Sequence, residues 1–287
     1  MENQHKWSSG VSVHDIVSFK PETISDSDAW VGHLHFDNYI IQKVKPKIFV
    51  ELGVYTGNSY LAFCQSIEQF KLETQAFGID SWAGDIHMGP QDPRIFRDIS
   101  ERNGKYSRFS RLIKKNFDDA ISDFSDRSID LLHIDGTHTY AAVKNDFKSW
   151  LPKLSDNATV LFHDTNVVKS DFGVKQFWNE VKSKYSNMEF KHSNGLGVLQ
   201  MPNIESTKQL PFTSVEETTA MQVFFEALGE NELQLFRQGE ELKQLDNRLQ
   251  SAIQRIAELE LERELVFSSY SWRLSAPLRA LGSRIRR

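Results

Sequence analysis

The chain has 287 residues, of which 39% are hydrophobic and 25% charged, enough for one substantial core with further segments attached. A formal net charge of −5 argues against nucleic-acid binding by the chain as a whole. Cys64 is the only cysteine, so no internal disulfide can form, and we expect a buried, inert thiol in a reducing, cytoplasmic compartment. The opening residues MENQHKWSSG lack the apolar core of a signal peptide, and no apolar run is long enough to cross a bilayer.

The first part of the chain leads into a strand and a glycine turn. Residues 1–25 are polar and weakly patterned, which predicts an arm, and helical spacing over 26–42 predicts a covering helix. The stretch KIFVELGVYTG then reads as a buried strand, a tight turn with Gly53 and Gly57, and a helix start. Such a junction suits a nucleotide-like ligand, because glycine admits close backbone approach and free N–H groups face the ligand.

Strands and helices alternate from there to Met201. The predicted strands cover residues 48–53, 76–80, 110–114, 129–135, 159–164, 188–191 and 197–200. The predicted helices cover residues 58–70, 92–103, 117–124, 141–151 and 174–184. Continuous apolar runs such as IDLLHI suit strands buried on both faces. We therefore predict an α/β domain over residues 26–201, with a doubly wound, mostly parallel seven-stranded sheet closed by a hairpin at Asn194-Gly195.

The pattern changes after Met201. Residues 202–220 are predicted as a linker, and residues 221–268 as a coiled coil that makes the protein a homo-oligomer. The apolar stripe consists of Leu228, Leu235, Leu242, Leu249 and Ile256, with Leu245, Ala252 and Leu259 three residues after members of that series. The alternative is an amphipathic helix packed on its own domain.

Residues 269–287 form a tail with Trp272 and five arginines but no acid. A short basic amphipathic helix there suits an anionic membrane surface, so we expect the protein to be cytoplasmic or peripheral at the inner face of the membrane. The alternative is a solvated tail or one that docks on a partner such as a glycosyltransferase.

Acidic residues follow several predicted strands at the edge where ligands bind in parallel sheets. The turn E-L-G-V-Y-T-G lacks the third glycine of a dinucleotide fingerprint, so it suits a single nucleoside better than NAD. Asp80, one βα unit later, is placed to accept hydrogen bonds from ribose hydroxyls. Asp135 and Asp164 end neighbouring strands and are expected to lie close together.

The turn resembles motif I of class I S-adenosylmethionine-dependent methyltransferases. The stretches GIDSWAGD, SIDLLHIDGTHTYAAVKNDFKSWLPKL, VLFHDTN, FGVKQFW and HSNGLGVL resemble successive motifs of one subfamily. Its members accompany bacterial glycan-assembly enzymes and are related to macrolide sugar O-methyltransferases and the cephalosporin-hydroxylase-like group. The resemblance spans about residues 30–201, and the tail YSWRLSAPLR separately resembles a segment of O-antigen or capsule enzymes.

The resemblance implies a Rossmann-like methyltransferase fold and S-adenosylmethionine as cofactor. It implies that Glu51 orients the turn and that Asp80 holds the ribose. The implied lining of the cofactor consists of Gly53, Tyr55, Thr56, Gly57, Ser59, Ser81, Trp82 and Asp135, with Phe117 on the adenine side. For Trp82, a core aromatic is the alternative.

Methylation of a hydroxyl needs a base or a cation beside the acceptor. Asp135 and Asp164 suit Mg²⁺, although the expected second acid beside Asp164 is replaced by His163, with Asn166 as a substitute ligand. His138 is predicted as the general base, because the unperturbed pKa of histidine lies near neutrality. His163 is left open between ligand, base and packing, whereas His133 is predicted to be core. Asp85, His87 and His192 are secondary candidates.

These observations predict a methyltransferase that acts on a sugar hydroxyl in surface polysaccharide biosynthesis. The alternative is a non-catalytic scaffold of a glycan-assembly complex that acts through its coiled coil and tail. An NAD-dependent sugar enzyme is disfavoured by the missing glycine.

Overall fold

The structure is a computed structural model that describes residues 11–25, 27–86, 89–202 and 215–279. It contains two compact units, Met1–Phe236 and Arg237–Arg287. The helices that precede the last strand in the chain are α1 (Val13–Val17), α2 (Leu34–Val44), α3 (Asn58–Gln69), α4 (Pro93–Asn103), α5 (Phe117–Ala120), α6 (Tyr140–Trp150) and α7 (Val174–Val181). Single 3₁₀ turns precede α2 at Val31–His33 and extend α5 and α7 at Ile121–Asp123 and Lys182–Lys184.

The strands are β1 (Ile48–Leu52), β2 (Gln75–Asp80), β3 (Gly84–Asp85), β4 (Gly89–Pro90), β5 (Ser110–Lys114), β6 (Ile129–Ile134), β7 (Leu154–His163), β8 (Ser186–Phe190) and β9 (Leu196–Gln200). Seven of them form one sheet in the order β5-β2-β1-β6-β7-β9-β8, in which β9 runs antiparallel to both neighbours. The remaining pairs are parallel, with Leu52 of β1 level with Ile79 of β2 and Ile134 of β6. The predicted seven-stranded, mostly parallel fold is confirmed.

The strand order reverses at β1, whose neighbours are β2 on one side and β6 on the other. In open α/β sheets the ligand crevice lies outside the carboxyl ends of the strands at such a switch point. The turn after Leu52 and the residues after Ile134 therefore face the same crevice.

Alternate residues of β1 enter two cores, one on each face of the sheet. Phe49 joins α2 and α3, whereas Val50 and Leu52 join α6 and α7. Both faces are covered, which explains the continuous apolar runs in the sequence.

Helix α8 (Val215–Ser268) begins inside the range predicted as a linker, and its first turns pack within the first unit. Met221 and Phe225 are each only 1% exposed, and Glu226 accepts a hydrogen bond from the backbone N–H of Lys191 at 2.9 Å. Leu228, assigned to the coiled-coil stripe, packs against this core instead. The first part of α8, up to Phe236, therefore belongs to the first unit.

The second unit contains the rest of α8 and the short helix α9 (Tyr270–Leu274). Leucines at predicted a and d positions are about half exposed in the single chain, with Leu242 at 66% and Leu249 at 56%. The guanidinium of Arg279 lies over the Trp272 ring, 3.7 Å from its centroid. The arginines of the tail beyond residue 279 lie outside the described residues. Among the helices described, none has a stretch long and apolar enough to cross a membrane.

Two local differences from the sequence expectations matter for the site. The covering helix was predicted from residue 26, but α2 starts at Leu34, because a turn at Ala29–Trp30 and the 3₁₀ turn at Val31–His33 come before it. The short ribbon of β3 and β4, which has only two residues per strand, was not predicted.

Candidate active site

The turn after β1 requires glycine at two positions. Gly53 has φ +95°, and a Cβ there would lie 2.0 Å from the carbonyl oxygen of Asp135. Gly57 has φ +86°, and its Cβ would lie 2.0 Å from Cδ1 of Ile99. The first glycine lets the ends of β1 and β6 meet, and the second admits α4 against the start of α3.

Asp80 organises two aromatic residues held in the left-handed region. The backbone N–H of Tyr55 donates to Oδ2 of Asp80 at 2.9 Å, and that of Trp82 donates to Oδ1 at 2.7 Å. Both aromatic residues have φ of 48°, which is uncommon for bulky side chains, and Trp82 Nε1–H also donates to the Tyr55 carbonyl at 2.9 Å. Burial raises the pKa of Asp80, although the backbone amides that bond to it act in the opposite direction. Asp80 is thus a structural anchor of the turn as well as a cavity-lining acid.

Glu51 lies beneath the turn, fully buried. It accepts a hydrogen bond from Ser59 Oγ at 2.7 Å, and its other oxygen lies 3.1 Å from Nδ1 of His133. Burial raises the pKa of Glu51, an effect that His133 and Ser59 oppose. The geometry agrees with an orienting role for Glu51 and shows His133 in the core.

Residues before α2 form one wall of the crevice. Asn58, the first residue of α3, accepts from the backbone N–H of Ser25 at 2.8 Å and donates to the carbonyl of Ser27 at 2.8 Å. Ser25 Oγ also bonds Thr56 Oγ1 at 2.7 Å. The side chain of Asn58 therefore holds the backbone of this segment at Ser25 and at Ser27.

Two aspartates and two histidines meet at the ends of β6 and β7. His138 Nε2 lies 2.8 Å from Asp164 Oδ2 and 3.7 Å from Asp135 Oδ1. His163 Nδ1 lies 3.2 Å from Asp135 Oδ1, and its Nε2 lies 3.2 Å from the carbonyl of Ser193. Asp164 itself has φ 62°. The predicted proximity of Asp135 and Asp164 is seen here as shared contact with His138.

The charges of this cluster follow from the mutual contacts. Burial opposes the imidazolium of His138, but hydrogen bonds to Asp135 and Asp164 outweigh it and raise its pKa to about 10. In the same way the two carboxylates raise the pKa of His163 to about 9 against its burial. Burial would raise the pKa of Asp135, but His163 and His138 hold it well below its usual range. In this arrangement the carboxylates favour the protonated form of both histidines, and the role of His138 as general base stays a prediction.

The crevice is a cavity of about 540 Å³ in the first unit. Its walls include most of the predicted site residues, namely Gly53, Tyr55, Thr56, Ser59, Asp80, Ser81, Phe117, Asp135, His138, His163 and Asp164. One cavity thus joins the glycine turn to the acid–histidine cluster.

Several other candidates support the cavity without lining it. Gly57 packs against Ile99, and Trp82 is buried against Phe96 with ring centroids 4.6 Å apart, which is the core alternative for that residue. His192 is bonded to the carbonyl of Gly32, and Asn166 to that of Lys191. Cys64 is buried, and burial raises the pKa of its thiol to about 12, as expected for an inert thiol. His87 and the side chain of Asp85 lie outside the described residues.

The cavity also has lining residues that the sequence did not single out. Trp30 comes from the segment before α2, and its Nε1–H donates to the buried Asp37 at 2.6 Å. Phe172 stacks on the His138 ring, with centroids 4.7 Å apart, and Lys169 precedes it in the same loop. Asp146 lines the cavity from the second turn of α6. For Asp146, an acidic residue in the middle of an amphipathic helix was a signal available in the sequence. No motif in the sequence pointed to Trp30 or Phe172 as cavity residues.

Asp135, His138 and Asp164 offer three ligand atoms within 4.8 Å of one another. Two carboxylates and one imidazole are chemically suitable donors for a divalent cation. These three residues include the two predicted ligands, Asp135 and Asp164, and have His138 where Asn166 was predicted. His163, which stands where a further acid was expected, is bonded to Asp135 instead.

Comparison with known proteins agrees with the fold. Residues 50–165 match the sequence model of a family described as "Methyltransferase domain". The chain is 41% identical over 180 residues to the uncharacterized protein y4gI of Sinorhizobium fredii, an alignment that covers 63% of this chain and 20% of that protein. The chain thus spans about one fifth of the length of this curated relative.

Among solved structures, similarity extends to a putative caffeoyl-CoA O-methyltransferase of Staphylococcus aureus, with a TM-score of 0.46, 16% identity, and coverage of 62% of this chain and 85% of that one. It extends also to the SAH-bound methyltransferase PaMTH1 of Podospora anserina, with a TM-score of 0.45, 15% identity, and coverage of 59% and 77%. At these scores and identities neither likeness supports a functional assignment. The strand order and the family match over residues 50–165 together confirm a Rossmann-like methyltransferase fold.

Proposed function

We propose that the first unit, Met1–Phe236, is an S-adenosylmethionine-dependent O-methyltransferase whose acceptor is a sugar hydroxyl, with a role in surface polysaccharide assembly. The observation that carries the proposal is the single cavity that joins the turn at Gly53 and Asp80 to the cluster of Asp135, His138 and Asp164. The acceptor side also presents Ser27, Gln91, Lys169 and Asn194, polar groups that suit a polyhydroxylated substrate.

S-adenosylmethionine, when bound, supplies an electrophilic methyl group on a sulfonium. The turn residues suit this group, because Gly53 lets the ends of β1 and β6 meet at the cavity wall and Asp80 presents a carboxylate to the cavity. The helix α3 starts directly after the turn, so its first N–H groups face the crevice.

The acceptor hydroxyl loses its proton as its oxygen attacks the methyl group. An alkylated hydroxyl is a very strong acid, so a nearby carboxylate is a sufficient proton acceptor. We assign the proton to Asp164, whose carboxylate is 6% exposed and is held by His138 at 2.8 Å. His138 acts as a positioning cation for Asp164, and its ring is fixed by stacking on Phe172.

A divalent cation is an extension of this proposal. Asp135, His138 and Asp164 would hold it, and its chemistry would be to lower the pKa of the hydroxyl and to orient it. His138 would have to lose its proton to become a ligand, so metal binding would release a proton and strengthen with rising pH.

Calorimetric titration with S-adenosylmethionine and with NAD tests the cofactor directly. We expect binding of S-adenosylmethionine and none of NAD; a protein that binds neither, or only NAD, would overturn the proposal. Acceptor chemistry is tested by methylation of candidate glycans. Asp164→Asn should lower turnover about 10²-fold or more. Asp123→Asn, an exposed carboxylate paired with Lys115 away from the cavity, is the matched control.

A further inference from the structure

One side of the cavity mouth is formed by the loop between β7 and α7, residues 164–173. Lys169 and Phe172 of this loop line the cavity. The loop is attached to the reactive cluster, because the backbone N–H of Gly173 donates to the carbonyl oxygen of His138 at 2.7 Å. The fold therefore fixes where this loop meets a bound acceptor.

Lys169 is an exposed cation without an acidic partner. Among the residues that the structure describes, no carboxylate forms an ion pair with its Nζ, and this includes Asp171 of the same loop. The Nζ lies instead over the ring of Phe172, 5.1 Å from the centroid, which is a cation–π distance. The positive charge is thus presented at the cavity mouth, where its N–H groups can donate to a ligand.

The charge of Lys169 lies close to the reactive cluster. Its Nζ is 5.1 Å from the centroid of the Phe172 ring, and that ring stacks on His138 with centroids 4.7 Å apart. Taken end to end, these two distances place the ammonium no more than about 10 Å from the centre of the His138 ring. His138 contacts Asp164, the proposed proton acceptor, at 2.8 Å. A sugar whose hydroxyl meets Asp164 can therefore present another substituent, its own or that of the adjoining sugar, to Lys169.

A second lysine lies next to the same loop. Nζ of Lys175, in the first turn of α7, donates to Oδ1 of Asn166 at 3.2 Å, and the backbone N–H of Asn166 donates to the carbonyl of Asn194 at 2.8 Å. Asn194 itself lines the cavity. Lys175, too, forms no ion pair with a carboxylate in the part of the chain that the structure describes. Two unneutralised cations beside one opening produce a positive potential that attracts anions.

We propose, on the basis of the proposed function, that the acceptor carries an anionic group, a carboxylate or a phosphate, which Lys169 binds while Asp164 receives the proton of the methylated hydroxyl. A lysine ammonium is a compact charge with three donors, so it suits either anion. The acceptor is then an acidic or phosphorylated sugar and not a neutral one. Lys169 selects it and holds its hydroxyl at the cluster.

The test measures binding of D-glucuronate, D-glucose 6-phosphate and D-glucose to the full chain saturated with S-adenosylhomocysteine. The wild-type protein should bind one of the two anionic sugars at least about fivefold more tightly than glucose, as expected for a partly exposed ion pair. The anion bound more tightly identifies the source of the charge. The preference should shrink in high salt, because the ion pair at the mouth is screened.

Two lysine variants make the test specific. Lys169→Met keeps an unbranched apolar side chain and removes the charge, and it should reduce the preference to less than about twofold. Lys184→Met is the matched control, because Lys184 is exposed after α7 and does not line the cavity. It changes the net charge equally and should keep the wild-type preference. Both variants should unfold in urea at the wild-type midpoint, as surface substitutions do.

The outcomes separate the two proposals. A wild-type protein that binds S-adenosylhomocysteine but binds the three sugars equally, or none of them, refutes the anionic acceptor and leaves the cofactor intact. A preference that survives in Lys169→Met, or that is lost equally in Lys184→Met, refutes the role of Lys169. Absence of S-adenosylhomocysteine binding, measured by calorimetry before any sugar is added, refutes the proposed function on which this inference rests.

Discussion

Asp80 allows the turn architecture to be tested quantitatively. Its two carboxylate oxygens accept from the N–H groups of Tyr55 and Trp82 at 2.9 and 2.7 Å, and these bonds hold both residues at φ 48°. We expect Asp80→Ala to destabilise the protein because both left-handed residues lose the group that fixes them.

The magnitude follows from the bonds that are lost. Hydrogen bonds to a charged group contribute about 1.5–3 kcal/mol each, and part of this is regained when water enters from the cavity to solvate the Tyr55 N–H. We therefore expect the free energy of unfolding to fall by about 2–4 kcal/mol in Asp80→Ala and by about half of that in Asp80→Asn, which retains one acceptor.

Urea denaturation at neutral pH followed by tryptophan fluorescence measures the change, with Asp123→Asn, a carboxylate paired with Lys115, as the control. Binding of S-adenosylmethionine should weaken more in Asp80→Ala than in Asp80→Asn, since the same turn forms the proposed cofactor wall. A fall of less than about 0.5 kcal/mol in Asp80→Ala, the usual range for a surface substitution, would show that the two aromatic residues adopt their conformation without Asp80.

Four further results are expected. Gly53→Ala should abolish cofactor binding in calorimetry, since its Cβ would lie 2.0 Å from the Asp135 carbonyl oxygen; retained affinity would contradict the close approach of β1 and β6. Because the folded-state pKa of His138 is raised to about 10, the stability it contributes is complete below about pH 6.5 and lost as pH rises towards 10, so His138→Ala should flatten unfolding profiles over that window. EDTA should abolish turnover and Mg²⁺ restore it; full activity in EDTA would remove the cation from the mechanism. The full chain should sediment as an oligomer that Leu242→Lys with Leu249→Lys converts to monomer, whereas a monomeric wild type would refute the coiled coil.

The sheet was predictable from the sequence because its strands are short apolar runs bounded by turns. Both faces of the sheet are buried, so these runs are continuously apolar and stand out from the amphipathic helices. β5 has the predicted bounds, Ser110–Lys114, and β1 and β6 each end one residue before the predicted end. β7 begins five residues earlier than predicted, at Leu154, which pairs with Ile129 of β6. The next residues, Ser155–Asn157, are polar and lie where the register of the pairing shifts, so they give no apolar strand pattern.

The donor half of the candidate site was predictable for the same reason: Gly53, Asp80 and Asp135 follow strand ends, and strand ends meet at one edge of a parallel sheet. The charge of the cluster was not predictable, since it depends on distances. His138 and His163 become cations only because two carboxylates lie within 4 Å of them, and spacing along the chain does not encode that number.

The acceptor half depends on segments whose conformation is set by contacts distant in sequence. Trp30 is placed by Asp37 and by the clamp of Asn58 on the carbonyl of Ser27, and Phe172 is placed by stacking on His138. Neither segment has a helical or strand period, so no local pattern predicts its path. Asn58 provides the link between the two halves: it begins α3 immediately after the glycine turn, yet its side chain holds the wall on the acceptor side. A change in the turn would therefore reach the acceptor wall through Asn58, and donor binding and acceptor selectivity should respond together when this residue is altered.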